Sequence, residues 1–137
     1  MARLLGLDVG DKRIGVALSD ESQLIASPHS VYTRVGFGPD TRHFVSLVQQ
    51  TGAQALVVGL PYNMDGTLGD QAHKVQALCQ RFQEAGLQVH YIDERLTTKS
   101  AEAALIEGGM RRENRRDTVD KVAAALILQS WLDSHRP

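Results

Sequence analysis

Residues 3–19 have the sequence RLLGLDVGDKRIGVALS, in which two short apolar runs flank a turn at Gly10-Asp11. The first run, residues 3–9, has the length of a buried strand, and the second, residues 12–19, is apolar and contains β-branched residues. Such a pair around a tight turn predicts an antiparallel hairpin. Asp8 interrupts the first run, and a carboxylate there is costly unless it is paired or binds a cation. Asp8 is therefore the first candidate functional residue.

Beyond this hairpin the chain alternates between strand and helix patterns. We predict further strands over residues 24–33, 55–59 and 87–92, and Pro28 places the first of these at an edge of the sheet. Helices are predicted over 40–51, over 68–85 with Leu68 in the core, over a short stretch that begins at Thr98, and over 117–133, with loops over 35–39 and 110–116. This order predicts an α/β fold: a mixed five-stranded sheet, with the antiparallel hairpin strands first and two parallel crossovers after them, and helices on both faces.

The composition limits the class of protein. The 137 residues fit a single domain, residues 1–137, with an ordinary apolar content of 42%. A net charge of −1 gives no global attraction to nucleic acid, so any such binding has to come from a local patch. The single cysteine, Cys79, excludes an internal disulfide, and no cysteines and histidines have zinc spacing. With no apolar stretch of membrane-spanning length and no signal-peptide pattern, we expect a cytoplasmic protein without membrane contact.

Two later segments contain further acids that could join Asp8. Asp93 and Glu94 end a predicted strand, and because neighbouring strand residues point to opposite faces, at most one of them can meet Asp8. Asp120 falls in the first turn of the last helix if Asp117 is its N-cap. In that position the helix dipole alone would favour an acid, by less than about 1 kcal/mol, so Asp120 has a structural explanation as well as a functional one.

The loop over residues 59–69, GLPYNMDGTLG, follows a predicted central strand and leads into a helix. A glycine-rich backbone at a helix N-terminus can bind a phosphate, and ligands of open α/β sheets bind where strands end. An ordinary strand-to-helix loop has the same composition, and the residues leave both interpretations open. We expect Asn63 and Asp65 to shape the cleft that contains the predicted phosphate contacts.

Basic residues cluster in residues 111–116. Four arginines fall within these six positions, and guanidinium groups bind phosphate oxygens in a forked geometry. A solvated loop is the alternative interpretation, but the cluster directly precedes the segment with Asp120, which favours nucleic-acid contact. The predicted phosphate contacts are Lys12, Arg13, Arg95, Arg111, Arg112, Arg115 and Arg116.

Four segments together, LDVGDKRIGVALSD, VVGLPYNMDG, DERLTT and DKVAAALILQSWLD, resemble in order and spacing the YqgF/RuvX family of pre-16S rRNA nucleases and Holliday-junction-resolvase-like proteins. The resemblance runs from Leu5 to about Leu132. It implies an RNase H-like fold and a carboxylate triad of Asp8, Glu94 and Asp120. The choice of Glu94 over Asp93 comes from the family pattern alone.

The resemblance implies a metal-dependent nuclease with Mg²⁺ or Mn²⁺ bound by the three acids, because these hard cations prefer oxygen ligands. The expected reaction is phosphodiester hydrolysis in the maturation of the 16S rRNA 5′ end, on structured RNA and in the setting of a pre-ribosomal particle. One alternative is a Holliday junction resolvase acting on branched DNA, which would need a homodimer rather than a monomer. Another is a non-catalytic nucleic-acid-binding module. Asp8-x-Gly10 also resembles the phosphate loop of actin-like ATPases, but that fold needs two lobes and this chain has room for one.

Overall fold

The computed structural model describes residues 2–93 and 120–135 in full and the backbone of residues 112–119. The elements in chain order are β1 (Arg3–Val9), β2 (Arg13–Ser19), β3 (Ala26–Thr33), α1 (Phe37–Thr51), β4 (Ala53–Leu60), α2 (Asp70–Glu84), β5 (Val89–Asp93) and α3 (Arg112–Ser134). Among these residues no helix combines the length and the apolar character that crossing a bilayer requires.

β1 lies at the centre of a five-stranded sheet with the strand order β3-β2-β1-β4-β5. β2 pairs antiparallel with β1, and β3 pairs antiparallel with β2. β4 and β5 continue the other side of the sheet in parallel. The edge position predicted for the strand with Pro28 is confirmed, and the β2–β3 register shifts next to this proline. The predicted mixed sheet is thus confirmed.

The two faces of the sheet carry separate cores, because strand residues alternate between faces. Leu5 and Leu7 of β1 pack under α1 and α2, in a core that contains Phe44 and Phe82. Leu4 faces the other way, into a core built from the small and aliphatic residues of α3. Helices therefore cover both faces, as predicted, and the even-numbered residues of β1 face α3.

The helix α1 begins at Phe37, so the prediction of a loop over residues 35–39 is wrong for its last three positions. The Asp40 carboxylate reaches back and accepts hydrogen bonds from the backbone N–H groups of Val35 and Gly36. These bonds give partners to two N–H groups that precede the first turn and have none within the helix. Pro39 fits the first turn because its position needs no intrahelical N–H donor.

The helix α2 begins at Asp70, two residues later than predicted. The prediction that Leu68 is a core residue is wrong. Leu68 forms an isolated antiparallel bridge with Tyr62, and 37% of its surface is exposed. The bridge closes the loop between β4 and α2, so the helical pattern at Leu68 gives way to local pairing.

The helix α3 begins at Arg112, so the prediction of a loop over residues 110–116 is wrong from residue 112 onward. The arginine-rich stretch has no helix breaker after Gly109, and arginine itself is a good helix former. The prediction of Asp117 as the N-cap is wrong for the same reason. The short helix predicted from Thr98 lies outside the described residues.

Candidate active site

Asp8 occupies the second-to-last position of β1, between the buried residues Leu7 and Val9. Its cross-strand partner is Gly15 of β2. Residues paired in this way direct their side chains to the same face of the sheet. Gly6, two positions earlier on that face, lies against Leu128 of α3. The half-buried Asp8 side chain is therefore on the face that α3 covers.

Gly15 brings Asp120 to the same place. A Cβ atom at Gly15 would lie 2.0 Å from the carbonyl oxygen of Asp120 and 3.1 Å from its Cα, so only a hydrogen atom fits between β2 and α3 here. Asp8 and Asp120, far apart in the sequence, are thus both immediate neighbours of Gly15. This packing brings together two of the three acids that the sequence predicted.

The helix dipole does not explain Asp120. Because α3 begins at Arg112, Asp120 lies more than two turns inside the helix. The dipole's effect falls off within the first turn. The helix dipole is thereby removed as an explanation, and the backbone of Asp120 packs against Gly15, the cross-strand partner of Asp8.

Arg13 pairs with Asp120. Its Nε atom donates a hydrogen bond to Oδ2 of Asp120 at 3.0 Å, and 31% of the Arg13 side chain and 24% of the Asp120 side chain are exposed. The prediction that Arg13 contacts phosphate is not tested, but its partner in this structure is a carboxylate. The Asp120 carboxylate is an oxygen donor of the kind that a hard divalent ion prefers, and the Arg13 guanidinium compensates its charge in this structure.

The third predicted acid, Glu94, lies outside the described residues, as do Arg95 and Arg111. Asp93 is the last residue of β5 and pairs with Leu60, whose side chain is in the core under α1 and α2. Asp93 therefore faces away from Asp8. Among the side chains that the structure describes, no three histidine, cysteine or acidic residues form a group that could bind a metal ion.

The predicted basic contacts are only partly described. Lys12 is exposed in the turn between β1 and β2, next to Arg13. Arg112, Arg115 and Arg116 lie in the first turns of α3, where the structure describes the backbone. Their predicted role in nucleic-acid binding stays a prediction.

The loop after β4 is folded by its own polar side chains. Oδ1 of Asp65 accepts hydrogen bonds from the backbone N–H and the hydroxyl of Thr67, at 3.0 and 2.6 Å. Nδ2 of Asn63 donates to the same hydroxyl oxygen at 3.0 Å, and Gly66 has a φ of 86°. These hydrogen bonds are those of an ordinary turn and explain why the loop is rich in Gly, Asn and Asp. Phosphate binding by this loop remains a prediction.

A buried ion pair that the sequence did not indicate contacts the turn after β1. Asp40 is fully buried, and its Oδ2 accepts a hydrogen bond from Nε of Arg34 at 3.0 Å. Burial raises the pKa of Asp40, but the hydrogen bonds from the Val35 amide and from Arg34 outweigh it, so the pKa lies below its ordinary value. Arg34 also donates to the carbonyl oxygen of Gly10, two residues after Asp8. The sequence does not indicate this pair, because an acid near a helix start is common and its partner Arg34 lies outside the helix.

The strand order, the antiparallel hairpin at its start and the acids gathered on the α3 side of β1 define an α/β protein of RNase H-like fold. Solved structures with this fold superpose over nearly the whole chain. RuvC of T. thermophilus in complex with a Holliday junction substrate gives a TM-score of 0.57 at 18% identity, covering 93% of this chain and 92% of that one. The fowlpox virus resolvase with Holliday junction DNA gives 0.57 at 11% identity, covering 96% and 97%.

The model of the RuvX family, described as "Holliday junction resolvase", matches residues 2–134, and the chain belongs to this family. A relative from Moorella thermoacetica named "Putative pre-16S rRNA nuclease" is 47% identical over 132 residues, covering 96% of this chain and 94% of its own. A relative of the same name from Caldanaerobacter subterraneus subsp. tengcongensis is 46% identical over 136 residues, covering 98% of both chains. The expected family and fold are both confirmed.

Proposed function

We propose that this protein is a metal-dependent nuclease that hydrolyses phosphodiester bonds. One observation carries the proposal: Asp8 and Asp120 adjoin Gly15 on a single face of the sheet, in a chain of the RuvX family. Two carboxylates on one face of the sheet would repel each other on close approach unless a cation lies between them. A protein that only binds the polyanionic backbone gains nothing from this repulsion, which counts against the non-catalytic alternative.

Asp8 and Asp120 would bind Mg²⁺ or Mn²⁺ together with Glu94, which the family pattern adds. When bound, the ion would activate the attacking water and stabilise charge on the leaving oxygen of the phosphodiester. Asp8 is fixed for this role by its place in a central strand. Asp120 is fixed by the close packing of α3 on Gly15.

The basic residues supply the substrate side of the site. Arg13 orients the Asp120 carboxylate through its 3.0 Å hydrogen bond and compensates its charge. Lys12, exposed in the same turn, is placed to bind a phosphate beside the acids. We assign the remaining phosphate contacts to Arg95, Arg111, Arg112, Arg115 and Arg116. Arg112, Arg115 and Arg116, in the first turns of α3, would align the nucleic-acid backbone along the start of this helix.

We propose structured RNA at the 5′ end of pre-16S rRNA as the substrate, within a pre-ribosomal particle. Support comes from the two relatives named "Putative pre-16S rRNA nuclease", which match nearly all of this chain at 46–47% identity. The family description and the RNase H-like resolvases favour a second candidate, a Holliday junction resolvase. Symmetric cleavage of a four-way junction would require two active sites and hence a dimer.

The test compares purified wild-type protein with Asp8→Asn and Asp11→Asn. Asp11 is an exposed acid in the adjoining turn, and it pairs with Lys74 at 3.7 Å, so it makes a matched control for loss of charge. We expect Mn²⁺-dependent, EDTA-sensitive cleavage by the wild type and by Asp11→Asn, and none by Asp8→Asn. Cleavage at the wild-type rate by a folded Asp8→Asn protein would refute the role of Asp8.

Two substrates assayed side by side separate the two candidate functions: an RNA that spans the 5′ end of the 16S sequence and a four-way DNA junction. Preference for the RNA by a monomer in sedimentation supports the rRNA proposal. Paired symmetric cuts in the junction by a dimer would replace it with the resolvase. A readout without catalysis is the melting temperature, which Mn²⁺ should raise in the wild type by mass action and should leave unchanged in Asp8→Asn.

A further inference from the structure

A buried carboxylate holds Arg34 beside the turn that joins β1 and β2. Oδ1 of Asp40 accepts hydrogen bonds from the Tyr32 hydroxyl at 2.9 Å, from the Val35 amide at 2.9 Å and from the Gly36 amide at 3.3 Å. Its Oδ2 accepts the 3.0 Å bond from Nε of Arg34. With both oxygens bonded and no surface exposed, the carboxylate has a fixed orientation, and it fixes the guanidinium in turn.

The other end of that guanidinium contacts the turn. Nη1 of Arg34 donates to the carbonyl oxygen of Gly10 at 3.1 Å, and the backbone N–H of Arg34 donates to the carbonyl oxygen of Lys12 at 2.8 Å. The turn is closed within itself by a 2.8 Å hydrogen bond from the Gly10 amide to the Arg13 carbonyl. Arg34 thus connects the turn at two points to the end of β3 and, through Asp40, to the start of α1.

Asp8 and Arg13 lie near the end of the ladder between β1 and β2, where the hydrogen bonds from Arg34 add most to the restraint of the turn. Only one further pair, Val9 with Ile14, follows the pair of Asp8 and Gly15 before the turn. Arg13 is the first residue of β2, and its side chain has to reach Asp120. Pairing with β3 also restrains β2, but that ladder ends at the pair of Arg13 and Thr33, and the ends of a ladder open more easily than its middle.

We propose that Arg34 is a positioning residue of the active site: by bridging Asp40 and the Gly10 carbonyl it sets the turn that places Asp8 and Arg13 relative to Asp120. The inference rests on the proposed function only for its catalytic consequence. Its structural part, restraint of the turn by the bridge, holds for any activity of this site. A guanidinium suits the task because its separated nitrogens can bond two acceptors in fixed geometry, whereas an ammonium group is a point charge.

Arg34→Lys separates positioning from stability. The lysine keeps a cation for the buried Asp40 carboxylate, so we expect the protein to fold, but it lacks the planar fork that spans to Gly10. We expect kcat for cleavage to fall by about 10- to 100-fold, the scale of an ångström-sized misplacement, with little change in KM. The Gly10 amide should exchange its hydrogen at least about tenfold faster in native-state exchange.

Tyr32→Phe is the matched control. It removes one hydrogen bond from the same Asp40 carboxylate and leaves the hydrogen bond between Arg34 and Gly10 in place. We expect a lower melting temperature, with kcat and Gly10 exchange close to wild type at a temperature where all variants are folded. Arg34→Met, which removes both hydrogen bonds of the guanidinium, should resemble Arg34→Lys in kcat and exchange and be less stable.

The outcomes separate this inference from the proposed function. If Arg34→Lys has wild-type kcat and wild-type Gly10 exchange, or if Tyr32→Phe loses kcat as much as Arg34→Lys does, the positioning role is overturned and the ion pair is only structural. If the wild type cleaves no nucleic acid, the proposed function fails. Gly10 exchange in Arg34→Lys and Tyr32→Phe then still decides whether the bridge restrains the turn.

Discussion

Replacing Gly15 with alanine should separate Asp120 from Asp8 and Arg13. The added Cβ would lie 2.0 Å from the Asp120 carbonyl oxygen, whereas close carbon–oxygen approaches in proteins are about 3.3 Å. The helix or the strand has to move by about 1 Å to relieve the overlap. Neither the new Cβ of β2 nor the Asp120 carbonyl oxygen of α3 can rotate away, because each is fixed by regular backbone. Overpacking of this kind typically costs about 1–3 kcal/mol of stability. An ångström of misplacement at reacting groups can cost about 100-fold in rate.

Gly6→Ala is the control for this effect. Its Cβ would lie 2.6 Å from Cβ of Leu128 and 2.8 Å from the Ala124 carbonyl oxygen, in the same interface between α3 and the sheet. Leu128 is more than two turns of helix from Asp120 and Ala124 about one turn, so relief of this overlap should displace Asp120 less than a Cβ at Gly15, which meets the Asp120 backbone directly. We expect both variants to unfold at lower urea concentration and only Gly15→Ala to lose most of its Mn²⁺-dependent cleavage.

The prediction fails if Gly15→Ala is folded and cleaves at the wild-type rate. It also fails if Gly6→Ala loses as much activity as Gly15→Ala at equal stability, because the loss would then follow helix packing in general. Urea midpoints measured on the same preparations as the cleavage rates make this comparison direct.

Three further outcomes are expected. Cys79 has no exposed surface, and its burial raises the pKa of the thiol to about 11. The native protein at pH 8 should therefore not react with a disulfide reagent until urea unfolds it, and rapid labelling of the native protein would contradict this burial. The pKa of Asp40 is depressed in the folded state, so its contribution to stability is present above about pH 4 and lost as the pH falls through the lower folded value. Urea midpoints at pH 7 and pH 3 should therefore differ less for Asp40→Asn than for the wild type, and an equal difference would exclude Asp40 as a cause. Replacing Arg111 and Arg112 by alanine should reduce the slope of log K for RNA against log salt by about 0.7–0.9 for each phosphate that is no longer neutralised, and an unchanged slope would remove both residues from the interface.

Local patterns were sufficient for most of the fold. The apolar runs around Gly10 predicted the first hairpin, and the uniformly apolar residues 55–59 predicted a covered central strand, because strand length and burial follow from nearby residues. The predicted starts of α1 and α3 are wrong for different reasons. The start of α1 depends on the Asp40 carboxylate, which accepts hydrogen bonds from the amides of Val35 and Gly36. For α3, a charged stretch predicts a loop, but arginine is itself a good helix former and the helix extends through it.

For the active site, local sequence is sufficient to identify Asp8 as a carboxylate inside a buried strand, since that conflict between charge and apolar surroundings is local. Folding alone places Asp120 against Gly15, turns Asp93 to the other face of the sheet and bonds Arg34 to the turn after Asp8. Each of these facts depends on which elements are neighbours in space. Strand pairing and the packing of α3 on two glycines set those neighbours, and a linear pattern does not record them.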